Sequence, residues 1–272
     1  MKKVKVLNIQ FDVCTKDEAL ARILDALQNR SRESAKHIVT PNPEMLLHAQ
    51  NNASFRETLN RAWLSIPDGI GILWASTFQE ITKRSGAIGR LLKGLASLIG
   101  LIFFPGSCQR VFSERITGVD LMESICAVSR DKKTPIFLLG AIVGVAEKAK
   151  EILEIRYPGV NIVGTFSGSP NDFDFAAINA LIAETQPEIL FIAYGAPAQE
   201  LWISRHIAKF PSVKIAMGVG GAFDFLSGLK KRAPKLMQKL GLEWLYRLLK
   251  EPSRWKRIWN AIVKFPLRVI RS

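Results

Sequence analysis

TPIFLLGAIVGVAEKAKEILEIRYPGVNIVGTFSG, residues 134–168, reads as strand, helix, strand. TPIFLLGA is a short apolar run, too brief for a buried helix. GVAEKAKEILEIRYPG then carries apolar residues at helical spacing and closes on Pro-Gly. VNIVGTFSG is a second β-branched run. Working outward toward the C-terminus, FDFAAINALIAETQP is a helix, EILFIAYGAP (188–197) a strand, QELWISRHIAKF a helix, and VKIAMGVGGAFDFLSG (213–228) a strand opening into glycines. Toward the N-terminus, VKVLNIQFDV (4–13) is a strand or hairpin. Thr15 with Glu18 three residues on forms a capping box ahead of TKDEALARILDALQNR. KHIVTPN (36–42) and WLSIPDGIGI (63–72) are short strands running into loops, and the helix between them breaks near Asn51–Asn52. Strand and helix alternating at this spacing predict an α/β fold: a Rossmann-like, mostly parallel sheet with helices on both faces. Ligands bind such sheets outside the carboxyl ends of the strands. The chemistry is therefore expected in the loops after Val39, Ile66, Leu139, Ala193 and Val219.

Composition narrows the class. With 48% hydrophobic and 23% charged residues a buried core is feasible and global disorder is excluded. The formal net charge is +14, and the last sixth of the chain, from Lys230 onward, holds 13 Lys/Arg against two Glu. A tail of this kind implies an anionic partner. Three widely spaced cysteines without CxxC argue against a disulfide framework and fit a reducing compartment. The three histidines form no metal-ligand cluster. MKKVKVLNIQF reads as a first strand and not as a signal peptide. No stretch reaches the ~18 to 20 apolar residues of a spanning helix.

Two segments break the alternation. SGAIGRLLKGLASLIGLIFFPGS (85–107) is apolar, with Arg84, Arg90 and Lys93 at its front edge. It is either a buried core helix or an interfacial element with basic anchors. In the tail, a turn of 100° per residue from Trp255 puts Ile258, Trp259, Ile262 and Val263 on one face and Arg254, Arg257, Asn260 and Lys264 on the other. Such a helix lies in a lipid headgroup layer or docks on the domain by its apolar stripe. Phosphate contacts and base stacking would suit a nucleic acid, but no RNP, KH, helix-turn-helix or zinc-finger pattern is present.

Several loop residues have the right chemistry for a site. Asp68 in IPDGIG follows a strand and precedes two glycines, which suits a general base, although on these residues alone a plain Asp-Gly turn is the readier reading. Thr40 and Asn42 in VTPNPEM are neutral hydrogen-bonding groups at another strand end. Gln199 in YGAPAQE opens a helix, where phosphate and carbonyl oxygens are attracted. The glycines Gly218, Gly220 and Gly221 let backbone approach a ligand, but they lack the GxGxxG order and give little support to a nicotinamide cofactor. Asp172-Phe173-Asp174 imitates a metal-binding DxD, yet it begins a helix, where Asp is favoured by capping and the dipole.

In order along the chain, TPNPEML, IPDGIGI, ERITGVDLM, FLLGA, YPGVNIVG, YGAPAQELW, GVGGAFDFLSG, KRAP and GLEWLYRLLKEPSRWKR make a specific set over about residues 4–258. The sequence resembles the WecG/TagA/CpsF family of glycosyltransferases. The resemblance implies an inverting transferase that needs no metal or other cofactor. It implies transfer of a sugar, N-acetylmannosamine in the type activity, from a UDP-sugar to a polyprenyl-diphosphate-linked N-acetylglucosamine. The implied place is the cytoplasmic face of the membrane, bound peripherally to an anionic surface, in cell-wall or surface polysaccharide synthesis. Relatives assigned N-acetylmannosaminuronic acid or hexoses leave the sugar open. Carried over by motif, Asp68 matches the base and Arg115 a catalytic arginine. Thr40, Asn42, Gln199, Arg247, Arg254 and Arg257 match substrate-binding positions. The expected organisation is a core over 1–228 and a membrane appendage over 229–272. The gap from Asp68 to Arg115 is longer than the family's, and 85–107 fills it. This predicts an added membrane-seating element or a cover for the lipid acceptor. Exposed apolar segments would seat on a membrane or on a second copy of the chain, and nucleic acid is not expected as a partner.

Overall fold

The computed structural model describes residues 1–29 and 34–272; the side chains at 102, 103, 105 and 239 lie outside the description, as does Arg30 at the end of the expected first helix. A two-stranded antiparallel hairpin opens the chain, β1 (Lys3–Val6) and β2 (Ile9–Asp12), turning through Leu7 and Asn8 with φ of 44° and 65°. α1 (Lys16–Gln28) begins with the capping box: Thr15 Oγ1 accepts from the Glu18 amide and Glu18 accepts from the Thr15 amide. β3 (Lys36–Val39) leads into α2 (Pro43–Asn51). Asn52 then caps α3 (Ala53–Arg61), so the expected break falls at Asn51–Asn52.

β4 is only Leu64–Ser65, shorter than the strand expected over 63–72, and α4 (Ile70–Thr82) starts directly after the Asp-Gly turn. The reason is burial. Ile72 through Phe78 are all buried, so about two turns of this helix are covered on every side and show no periodicity to read. α5 (Ala87–Phe103) and a 3₁₀ turn (Pro105–Cys108) follow.

After α6 (Gly118–Ser129), a helix the sequence reading does not include, the alternation runs as expected from residue 134, with β5 (Pro135–Gly140), α7 (Val145–Arg156), β6 (Asn161–Phe166), α8 (Phe175–Thr185), β7 (Ile189–Ala193), α9 (Ala198–His206) and β8 (Ile215–Gly218); α10 (Ala222–Leu226), after the glycines, is a second helix outside that reading. The six strands form one parallel sheet in the order β4-β3-β8-β7-β5-β6. Helices cover both faces. One core cluster joins α1, α6, α7 and α10 to one face, and another joins α8 and α9 to the other.

The tail comprises α11 (Lys235–Lys239), α12 (Glu243–Lys250), α13 (Trp255–Trp259), a π-helical turn (Asn260–Lys264) and α14 (Phe265–Arg271). The stripe named from the sequence does not dock the tail; residues further along do. Trp255 and Trp259 stay more than half exposed. Phe265, Val269 and Ile270, further on, enter a third core cluster with the N-terminal hairpin, α2, α3 and α4. α5 lies between the two alternatives set out for it. Its inner side rests on α4 and α14, while Ile88, Leu91, Leu92, Leu95 and Ile99 are all about half or more exposed. Arg90 turns inward instead of anchoring outward: Nε and Nη2 donate to the last carbonyls of α14, Ile270 (3.3 Å) and Val269 (3.2 Å). Among the described residues no helix is long and apolar enough to cross a membrane.

Candidate active site

The carboxyl ends of β3 and β4 bring Thr40 and Asp68 together. The Asp68 amide donates to the Pro41 carbonyl at 3.0 Å, which clips the two loops side by side. The N-terminus of α6 closes on them. A Cβ at Gly118 would stand 2.9 Å from Thr40 Oγ1 and 3.9 Å from Asp68 Oδ2, so only glycine lets this helix approach. Burial pushes the Asp68 carboxyl up from 3.8 to about 6, against the pull of Arg247 and Arg115; Glu243 and Asp120 push the same way as burial. A carboxyl held there is ionised at neutral pH yet basic enough to accept a proton.

Beside Asp68 opens a cleft of about 750 Å³. Its lining mixes apolar and small residues, Ile70, Leu73, Gly106 and Cys108, with the charged Arg115, Arg232, Lys235 and Asp120. The charged part of that lining is a linked network. Arg232 donates to both Asp120 oxygens (2.6 and 3.0 Å) and to Thr117 Oγ1 (3.2 Å). Its Nε is 3.6 Å from Glu243, whose other oxygen is 3.5 Å from Arg115. Burial pushes the Asp120 carboxyl up, but the hydrogen bonds from Arg232 and Thr117 and the charges of Arg232 and Arg115 outweigh it and hold it below its ordinary range. Glu243 heads α12, so the tail is tied into the cleft wall by its first turn.

Arg247, one turn further along α12, lies over the Phe225 ring at 5.0 Å and is the strongest cationic influence on Asp68. The other two appendage arginines are bound elsewhere. Arg254 Nε donates to Glu251 at 2.5 Å. Arg257 grips Glu44 on α2 through Nε (2.9 and 2.8 Å) and Nη2 (2.6 Å), a fork that straps the tail to the loop carrying Thr40 and Asn42. Asn42 caps α2, its Oδ1 accepting from the Met45 amide at 3.0 Å.

Gln199 is buried behind the β7 and β8 loops. Its Oε1 accepts from the amides of Gly195 and Gly220, both at 3.0 Å, and its Nε2 donates to Glu200, which meets His37 on β3 at 2.7 Å. The glycines of GVGG answer to this network: a Cβ at Gly218 would come within 2.5 Å of both Glu200 and Gln199. Asp174 Oδ2 accepts from the Ser169 amide at 2.7 Å, a loop-closing role for the DxD look-alike. Among the described residues no group of three or more His, Cys, Asp or Glu is placed to hold a metal ion.

The geometry thus gathers Asp68, Thr40, Arg115 and Arg247, and places Asn42, Gln199, Arg254 and Arg257 in the framework around them. Sequence reasoning passed over Gly118, Asp120, Arg232, Lys235 and Glu243. The signal was available in the KRAP and GLEW stretches, but an acid among cations carries no mark of its partner.

Residues 4–91 and 95–272 match the family model described as Glycosyl transferase WecG/TagA/CpsF family. The chain is also similar to proteins named N-acetylglucosaminyldiphosphoundecaprenol N-acetyl-beta-D-mannosaminyltransferase from Staphylococcus aureus strains MRSA252 and MW2. Each is 32% identical over 256 residues, covering 94% of this chain and 87% of the relative.

Proposed function

The chain belongs to the WecG/TagA/CpsF family and is a glycosyltransferase, and from that premise we propose that it moves N-acetylmannosamine from a UDP-sugar to a polyprenyl-diphosphate-linked N-acetylglucosamine. The named relatives supply the sugar and the acceptor. The observation that carries the mechanism is the Asp68 carboxyl, raised to about 6 by burial and set against Arg115 and Arg247 near a cleft lined by both apolar and cationic residues.

The reaction is a single inverting displacement. The Asp68 carboxylate takes the proton of the acceptor hydroxyl. That oxygen bonds to the anomeric carbon as the bond from this carbon to the diphosphate breaks, and the electron pair leaves on UDP. Guanidinium groups take up the developing charge, Arg247 and Arg115 nearest the base and Arg232 with Lys235 along the cleft, so that no metal is required. Thr40 donates or accepts at the sugar from its place beside Asp68. Asn42, Gln199, Arg254 and Arg257 serve substrate binding by holding the loops and the tail in register. The cationic tail and the lipid-linked acceptor favour a place on the cytoplasmic face of the membrane, bound peripherally to anionic lipid.

The test is UDP release from a panel of UDP-sugars with a short-chain prenyl-diphosphate N-acetylglucosamine, in EDTA, for the parent and Asp68→Asn. Acceptor-dependent release from the N-acetylmannosamine donor, lost in the variant, is the expected result. Release only after a divalent metal is restored would overturn the metal-free mechanism, and release from a different donor would reassign the sugar.

A further inference from the structure

α5 carries a feature that catalysis does not use. Ile88, Leu91, Leu92, Leu95 and Ile99 are 77, 48, 62, 53 and 59% exposed. At 100° per residue these five fall within about 100° of one another, Ser97 and Leu101 lie on the opposite, packed side, and Leu98 sits at the stripe's edge. Side-chain contacts hold the helix firmly in place. Ser97 Oγ accepts from Trp74 Nε1 at 3.0 Å, and Gly94 meets α14 so closely that a Cβ there would be 2.6 Å from Ile270. The apolar stripe is thus a rigid surface, presented by a helix that is itself well seated.

The surrounding charge says what covers it. Between Glu80 and Glu114 there are five Lys/Arg and no acidic residue. After Glu251 there are six Lys/Arg and again no acidic residue. α5 and α14 bring these two acid-free segments into contact. Lys83, Arg254 and Arg257 pair with Glu80, Glu251 and Glu44, and Arg90 turns inward, but the remaining cations of a second copy docked by a two-fold axis on this stripe would face the same cations. An anionic lipid leaflet meets both needs, apolar depth for the stripe and negative charge at its rim. At 17 residues, α5 is about 25 Å long and lies along such a surface instead of crossing it.

We propose that α5 is a lipid-inserting helix whose Ile88–Ile99 stripe enters an anionic leaflet and sets the mouth of the cleft at headgroup level. The chain runs from α5 through an exposed Phe104 directly into Gly106 and Cys108, which line the cleft. The polyprenyl chain of an acceptor held in that cleft leaves past this turn and re-enters the leaflet beside α5. The inference rests on the preceding reading in taking the acceptor as lipid-linked.

The experiment compares the parent with Leu92→Asp/Leu95→Asp, both exposed positions, in co-sedimentation with vesicles containing phosphatidylglycerol or made of phosphatidylcholine alone. Loss of two inserted leucines lowers partition to the anionic vesicles about a hundredfold. UDP release with a short-chain acceptor in solution stays unchanged, while release with a long-chain acceptor in vesicles falls with the binding. A Leu92→Gln/Leu95→Gln protein, uncharged at both positions, gives the same order of effect and covers a folding failure of the aspartates. Undiminished vesicle binding in either folded variant overturns the proposal. So does a parent that sediments as a dimer and variants that sediment as monomers with vesicle binding intact, since the stripe would then belong to a second copy. If no protein releases UDP, the proposed reaction fails, and the vesicle arm still reads the role of α5.

Discussion

Replacing Asp68 with asparagine separates the demands of catalysis from those of folding. In the folded protein the carboxyl titrates at about 6, against 3.8 for an unburied aspartate. Between these values the native state binds the proton and the unfolded chain does not, so stability falls as pH rises through this window. Two pH units at about 1.4 kcal/mol each give a cost of about 3 kcal/mol, complete by pH ~7. Asparagine never ionises and escapes it. Asp68→Asn is therefore inactive at every pH, matches the parent's stability near pH 4, and exceeds it by up to about 3 kcal/mol at pH 7. Urea unfolding of both proteins at intervals from pH 4 to 8 reads the difference directly. A gap that does not change with pH would refute the reasoning, because it would mean that Asp68 carries no raised proton affinity in the fold. A variant less stable than the parent at pH 7 would do the same.

Three more outcomes follow from the same geometry. Arg247 is the main cation holding the Asp68 carboxyl down, so Arg247→Ala moves the acid limb of the kcat profile to higher pH, and Arg247→Lys moves it back; an unmoved limb would detach Arg247 from the base. Gly118→Ala places a methyl 2.9 Å from Thr40 Oγ1 and forces that side chain to turn, which costs about 1 kcal/mol in unfolding experiments but roughly tenfold or more in kcat. Gln199→Ala orphans the Gly195 and Gly220 amides, lowering stability by about 2 to 4 kcal/mol; hydrogen exchange should quicken at those two amides and not at the β1–β2 hairpin.

The alternation of the second half was legible because each helix there has one buried face and each strand is a compact apolar run. α7, with Val145, Ala146, Ala149 and Leu153 inward, is the clearest case. The capping box at Thr15 and the Asn52 boundary were legible because both are local hydrogen bonds. α4 was not, since a helix buried on every side has no period. The site was half legible. Asp68 and Thr40 sit at strand ends, where a parallel sheet always places its chemistry. The partners of Arg257 and Arg232 lie 213 and 112 residues away in sequence, and nothing local marks a guanidinium as a strap or as part of a cleft wall. Gln199 shows the converse: its type and position suited a ligand, while its hydrogen bonds run to backbone amides and Glu200.

The burial of Phe265, Val269 and Ile270 against the N-terminal hairpin and α4 has a consequence for synthesis. A ribosome makes the hairpin first and these residues long after, so the cluster they share cannot close until both have been made. Arg90 waits as long for the carbonyls it caps. Until 265–270 have docked, α12 and Arg247 have no anchored tail behind them. The tail is thus part of the core as well as of the cleft wall, and cutting the chain before Phe265 opens the cluster that the hairpin shares with α4.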